Sequence, residues 1–114
     1  MFIAAAVTLV LAAACVNLDE IVITSPDLSK IADGVYRGSS KVGPVRVTLD
    51  LAMQNSVISS IQIIEHRNGR GKKAEAIVGE IIKAQSLNVD VVSGATASSK
   101  AILLAAQNAL TGNK

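Results

Sequence analysis

Residues 44–52 place the tightest constraint on the fold. Val45, Val47, Leu49 and Leu51 alternate there with Arg46, Thr48 and Asp50. A period of two puts the apolar side chains on one face of a strand and the polar ones on the other. The chain must therefore build a sheet with one face covered. Residues 53–56 predict a turn, because Asn55 can take a left-handed conformation. Residues 57–65, rich in Ile and Val, predict the return strand. A preceding strand can start at residues 35–39, after Asp33-Gly34 breaks any earlier turn. Three such segments in succession predict an antiparallel meander.

The cover for that sheet follows in the chain. Ala74, Ile77, Val78, Ile81, Ile82 and Gln85 recur at helical spacing, with Glu75, Glu80 and Lys83 off that face. Residues 98–111 predict a second helix that buries Ile102, Ala105, Ala106, Ala109 and Leu110, with Gly112 as its terminator. Alanines on its inner face allow close approach to the sheet. Strands followed by two helices predict an α+β fold, a small antiparallel meander packed with two helices. Before the sheet, Ser25-Pro26-Asp27 reads as a cap, a proline in the first helical position and an acid in the first turn.

Composition narrows the function. With 114 residues and 50% hydrophobic content there is room for one compact domain. Aromatic residues make up 2% of the chain and net charge is +2, which disfavours a nucleic-acid surface. One Cys and one His are too few for a metal cluster, and no internal disulfide can form.

The first eighteen residues read as a separate element. Residues 2–18 carry no charge and as a helix would span about 25 Å, slightly less than a hydrocarbon core of about 30 Å. The expectation is an N-terminal membrane helix, a signal anchor. Asp19 and Glu20 follow it and the first Lys is Lys30, so the domain is expected on the extracytoplasmic side of the cytoplasmic membrane. Leu11-Ala12-Ala13-Ala14-Cys15 also resembles a lipoprotein processing site, although Ala12 stands where Leu is usual. An uncleaved anchor is the favoured reading, and either tethers the same domain. The expected division is anchor or lipoprotein signal 1–18, spacer 19–32 and domain 33–114.

Chemistry concentrates in residues 90–99, Asp-Val-Val-Ser-Gly-Ala-Thr-Ala-Ser-Ser. Gly94 permits a tight turn, and Thr96, Ser98 and Ser99 are helix-capping types. Such a turn delivers the chain into a helix N-terminus, where unpaired N–H groups and the helix dipole favour a phosphate. The local chemistry alone is equally that of a simple cap.

The string Asp90-x-x-Ser93-Gly94-Ala95-Thr96 resembles the flavinylation motif of the FMN-binding domain family. That family includes the flavin-bearing subunits of the sodium-pumping NADH:quinone oxidoreductase and of the Rnf complex. Asp33-Gly34-Val35-Tyr36-Arg37-Gly38 looks like its opening segment, and the likeness runs from about residue 27 to 110. The resemblance implies FMN joined to Thr96 through a phosphoester. A flavin transferase would attach it from FAD, with Thr96 Oγ attacking the phosphorus proximal to the flavin and AMP leaving. Thr96 would thus be another enzyme's substrate, in keeping with a chain that offers no group to activate an alcohol.

Roles for the neighbours follow as expectations. Gly94 and Ala95 keep side chains clear of the phosphate, Ser93 bonds the turn or the phosphate, and Asp90 orients the loop by accepting backbone N–H groups. The helix opening at Ala97-Ser98-Ser99, helped by Lys100, offsets the remaining negative charge. Residues 66–73 read as a polar loop whose Arg67, Arg70, Lys72 and Lys73 supply positive charge beside the flavin. Relatives often carry an acid and a threonine where this chain has Arg67 and Asn68. Tyr36 is the aromatic available to pack on the ring.

The functional expectation is a membrane-tethered electron carrier, serving redox partner proteins or a quinone-linked dehydrogenase, with no catalytic residues of its own. The alternatives are a non-redox accessory module that holds flavin noncovalently and a structural domain whose turn is only a cap.

Overall fold

A computed structural model describes residues 22–67 and 72–112. The expected membrane segment and Cys15 lie outside the described residues, as does Arg70. Among the described residues no helix is long and apolar enough to cross a membrane.

Three strands form one antiparallel sheet in sequential order: β1 (Gly34–Val42), β2 (Val45–Gln54) and β3 (Val57–Arg67). Two helices follow, α1 (Lys72–Ala84) and α2 (Thr96–Thr111). The fold is the α+β meander with two helices that the alternation required. Val45, Val47, Leu49, Leu51 and Met53 are all buried on the face the helices cover. α2 packs over β1 and β2, while α1 lies against β3 and α2. Ile77 and Ile81 of α1 and Ile102, Ala105, Ala106, Ala109 and Leu110 of α2 complete the core.

Several local expectations are corrected. Met53 belongs to β2 and is buried, so the turn shrinks to Asn55 and Ser56, with φ of 54° and 64°. Two positive-φ residues in a two-residue hairpin match the right-handed twist of the strands they join. The segment read as a loop from residue 66 to 73 is shorter: His66 and Arg67 extend β3, and Lys72 and Lys73 open α1. Asp27, rather than Ser25, caps the leading turn, a 3-10 helix at Leu28–Lys30, by accepting from Ser29 N–H at 3.0 Å. Ser25 instead accepts from the amide of Leu87 at 3.1 Å, which ties the leading segment to the chain after α1.

Gln85 also departs from its expected place on the α1 face. It leaves the helix with φ of 53°. Its side-chain oxygen accepts from Ile58 N–H at 2.7 Å, and its amide donates to the Ile58 and Ile82 carbonyls at 3.0 and 2.7 Å. One side chain thereby satisfies both backbone groups of a residue on an edge strand, where such groups otherwise invite another chain.

Two irregularities in β3 decide which residues face the core. Register shifts fall between Thr48 and Leu49 and between Ala52 and Met53 of β2, leaving Ile64 and Ser59 as extra residues in β3. Each bulge resets the alternation. Ile58, Ile61, Ile63 and His66 consequently share the helix-facing side with Met53, Leu51, Leu49 and Val47, their register partners.

The sheet's other face carries the polar set. Arg37 donates to both oxygens of Asp50 across the β1–β2 ladder, at 2.7 and 2.9 Å. That hydrogen bond, more than the charge of the guanidinium, holds the Asp50 carboxyl below its ordinary range.

Candidate functional site

The turn before α2 is built from backbone bonds. Ala95 N–H donates to the Val92 carbonyl at 3.0 Å, and Gly94 stands in the third position of that turn with φ of 81°. A positive φ there is the requirement of a type II turn, met at least cost by glycine. Helix α2 then begins, with Ser99 N–H donating to the Ala95 carbonyl at 2.9 Å.

Among the described residues no side chain caps this helix: Ala95 occupies the cap position and offers none. Two of the expected cappers, Ser98 and Ser99, are turned into the domain. Ser99 is fully buried, and its hydroxyl oxygen accepts from Val92 N–H at 3.0 Å, locking the turn from inside the domain. Ser98 is buried too. Ala95 packs its methyl into the core. Asp90 is exposed and accepts no hydrogen bond among the described residues, so it does not orient the loop as expected. Ser93 and Gly94 are exposed, and Thr96 is half-buried as the first residue of α2.

Two features give this turn an anion-binding character. The amide N–H groups of Thr96 and Ala97 make no hydrogen bond among the described residues, as expected where a helix starts without a cap. Beside them lies Lys73, from the first turn of α1: a β-carbon on Gly94 would sit 3.0 Å from its Nζ. Of the cations expected beside the flavin, Lys73 and Arg67 have described side chains, and the packing of α1 against α2 brings Lys73 to the turn. Arg67 is held by Glu65 at 2.6 Å and lies on the sheet.

Tyr36 stands at the other end of the molecule. β1 runs along α2 in the opposite sense, with the Ser40 hydroxyl donating to the Ala101 carbonyl and Gly38 lying against Ala105 and Ala109. Tyr36 precedes both, beyond the middle of α2, and its hydroxyl donates to the Ala32 carbonyl at 2.6 Å. The structure therefore groups Ser93, Gly94, Thr96 and Lys73 at one corner and does not bring Tyr36 to them.

His66, near the end of β3, has a buried side chain. Its Nδ1 lies 3.2 Å from a carboxylate oxygen of Glu75, while Nε2 is buried and has no partner among the described residues. Among the described residues no group of three or more His, Cys, Asp or Glu side chains is placed to hold a metal ion.

Comparison with known proteins settles the family. The family described as FMN-binding domain matches residues 41–111, from the end of β1 through α2. The chain belongs to the FMN-binding domain family. Its members' flavin-binding character extends to this chain, and the residues at the turn suit an FMN phosphate: two unpaired amide donors, an adjacent ammonium and a glycine that leaves room for approach. An uncharacterized protein of Treponema pallidum (strain Nichols) is 31% identical over 85 residues, which is 72% of this chain and 24% of that protein. The chain thus spans about a quarter of that relative's length.

Proposed function

We propose that this FMN-binding domain carries its FMN covalently, through a phosphoester to the Thr96 hydroxyl, and works as an electron carrier tethered at the outer side of the cytoplasmic membrane. The observation that carries the reading is the corner just described. Thr96 opens an uncapped helix, directly after an exposed Ser93-Gly94 turn with Lys73 alongside. A phosphodiester retains one negative charge, which the Thr96 and Ala97 amides, the helix dipole and the Lys73 ammonium would stabilise. An attachment residue needs access for the flavin transferase that modifies it, and an exposed turn supplies that access. The flavin, when bound, supplies the electron-transfer chemistry, while the protein supplies position and charge.

The remaining parts follow from the same reading. A covalent bond keeps the cofactor on a domain exposed to dilution outside the membrane, independently of affinity. Residues 1–18 are the proposed tether. Redox proteins or a quinone-linked dehydrogenase are the proposed partners. Asp90, exposed and unpaired, is assigned to recognition by the transferase.

The test is intact mass and in-gel flavin fluorescence of the full chain, co-expressed with a flavin transferase, for wild type and Thr96→Ala. The expected result is a fluorescent denatured band and a mass gain of FMN less water, both lost in Thr96→Ala. An unmodified wild type, with the transferase active on a known acceptor, would leave noncovalent flavin binding in its place.

A further inference from the structure

The sheet's uncovered face carries an arrangement that the flavin site does not use. Lys41 pairs directly with Arg46 across β1 and β2, and Arg46 pairs directly with Arg67 across β2 and β3. Three cations thus stand in one row across three strands. Like charges directly opposite one another destabilise a sheet. Glu65 relieves only one of them, through its 2.6 Å pair with Arg67. Lys41 and Arg46 have no carboxylate partner among the described residues.

The same two residues line a cavity that reaches round the β1 edge of the sheet to α2. Lys41 and Arg46 bound a hollow of about 570 Å³ with Thr48 and Glu65 from the sheet and Leu104 and Asn108 from α2. That volume suits a small organic ligand. Leu104 gives the cavity an apolar wall. The Thr48 hydroxyl makes no hydrogen bond among the described residues, and Asn108 is fixed in place by donating to the Ser39 carbonyl at 2.8 Å. Leu104 and Asn108 lie about 12 and 18 Å along α2 from Thr96, which separates this cavity from the motif turn.

We propose that this cavity binds a small soluble phosphate monoester, with Lys41 and Arg46 on the phosphate and Thr48 and Asn108 as neutral hydrogen-bonding partners. Two adjacent uncompensated cations match a dianion, whereas a monocarboxylate would neutralise only one. An arginine can engage two phosphate oxygens at once. Leu104 then meets the organic part of the ester. Binding removes the repulsion built into the row, so the ligand stabilises the fold as well as occupying it.

The test uses the full chain without flavin, titrated with glycerol phosphate at constant ionic strength, with acetate and glycerol as controls. Amide NMR shifts report the site and thermal unfolding reports the linkage. Saturable shifts at Thr48, Leu104 and Asn108 are expected with glycerol phosphate and not with the controls. Arg46→Gln and Lys41→Gln should each weaken binding by about tenfold or more. Both side chains are exposed, and without ligand each variant should unfold about 1–5 °C above wild type, because a like-charge pair is gone. The same binding in Thr96→Ala keeps this site distinct from the proposed flavin attachment. The proposal is overturned by absence of saturable shifts, by equal shifts with acetate, or by unchanged affinity in Arg46→Gln.

Discussion

A β-carbon added to Gly38 would fall on the carbonyl oxygen of Ala105, so β1 and α2 meet backbone to backbone. The same atom would lie 2.5 Å from the Ala109 amide nitrogen and 2.8 Å from its Cβ. Neither neighbour is the movable end of a side chain. Gly38→Ala therefore has to push α2 off the sheet, and a cost of about 3 kcal/mol or more is expected, at the upper end for overpacked cores. Urea unfolding of wild type and Gly38→Ala measures it. A loss under about 1 kcal/mol would show that α2 can shift freely on β1.

At the motif corner, Lys73 and Gly94 should separate charge from shape. Lys73→Gln removes the ammonium beside the turn and is expected to slow flavin attachment roughly tenfold, the worth of one charge-assisted hydrogen bond. Gly94→Ala meets both a left-handed backbone, costing about 1–2 kcal/mol, and the Lys73 Nζ. It should slow attachment further. Time courses of mass gain with purified transferase and FAD measure both. Equal rates for Lys73→Gln and wild type would remove Lys73 from the site.

Gln85 is expected to matter to stability rather than to flavin. Gln85→Ala strips the Ile58 N–H and C=O of their partners, a loss of about 1–3 kcal/mol. Gln85→Gly loses the same bonds but suits the φ of 53° better, so it should be the milder of the two. Chemical denaturation ranks them. The reverse order would mean that the extra freedom glycine gives the unfolded chain outweighs the relief of the left-handed backbone.

Acid should weaken the fold through Asp50. Its carboxyl is held below the ordinary range by the Arg37 hydrogen bond, so the folded state binds its proton less readily than the unfolded chain. The stabilisation is complete above the unfolded carboxylate pKa, about pH 4, and is lost as pH falls through the lower folded value. Asp27, lowered by its bonds to Ser29, acts in the same direction. Unfolding midpoints between pH 5 and 2 should fall less steeply in Asp50→Asn than in wild type. Identical slopes would show that water already screens this exposed pair.

The sequence by itself determined the architecture, the family and the motif. Alternation in residues 44–52, helical spacing from Ala74 and an alanine-lined last helix each specify local geometry and its buried face, because periodicity is a property of the chain. The Asn55 turn and the Gly112 terminator were legible for the same reason, since left-handed backbone restricts residue type. Tertiary structure alone decided the rest. In residues 57–67 unbroken alternation would put Ile58 and Ile61 on opposite faces, and bulges at Ser59 and Ile64 bring both, with His66, to the core. Ser98 and Ser99 look like surface caps in the string, yet packing of α2 buries them and turns the Ser99 hydroxyl inward to Val92. Lys73 reaches Gly94, and Lys41, Arg46 and Arg67 form a row, only because distant segments are brought side by side. Spacing along a chain reports what lies on one element; which charges meet across elements is fixed by register and packing.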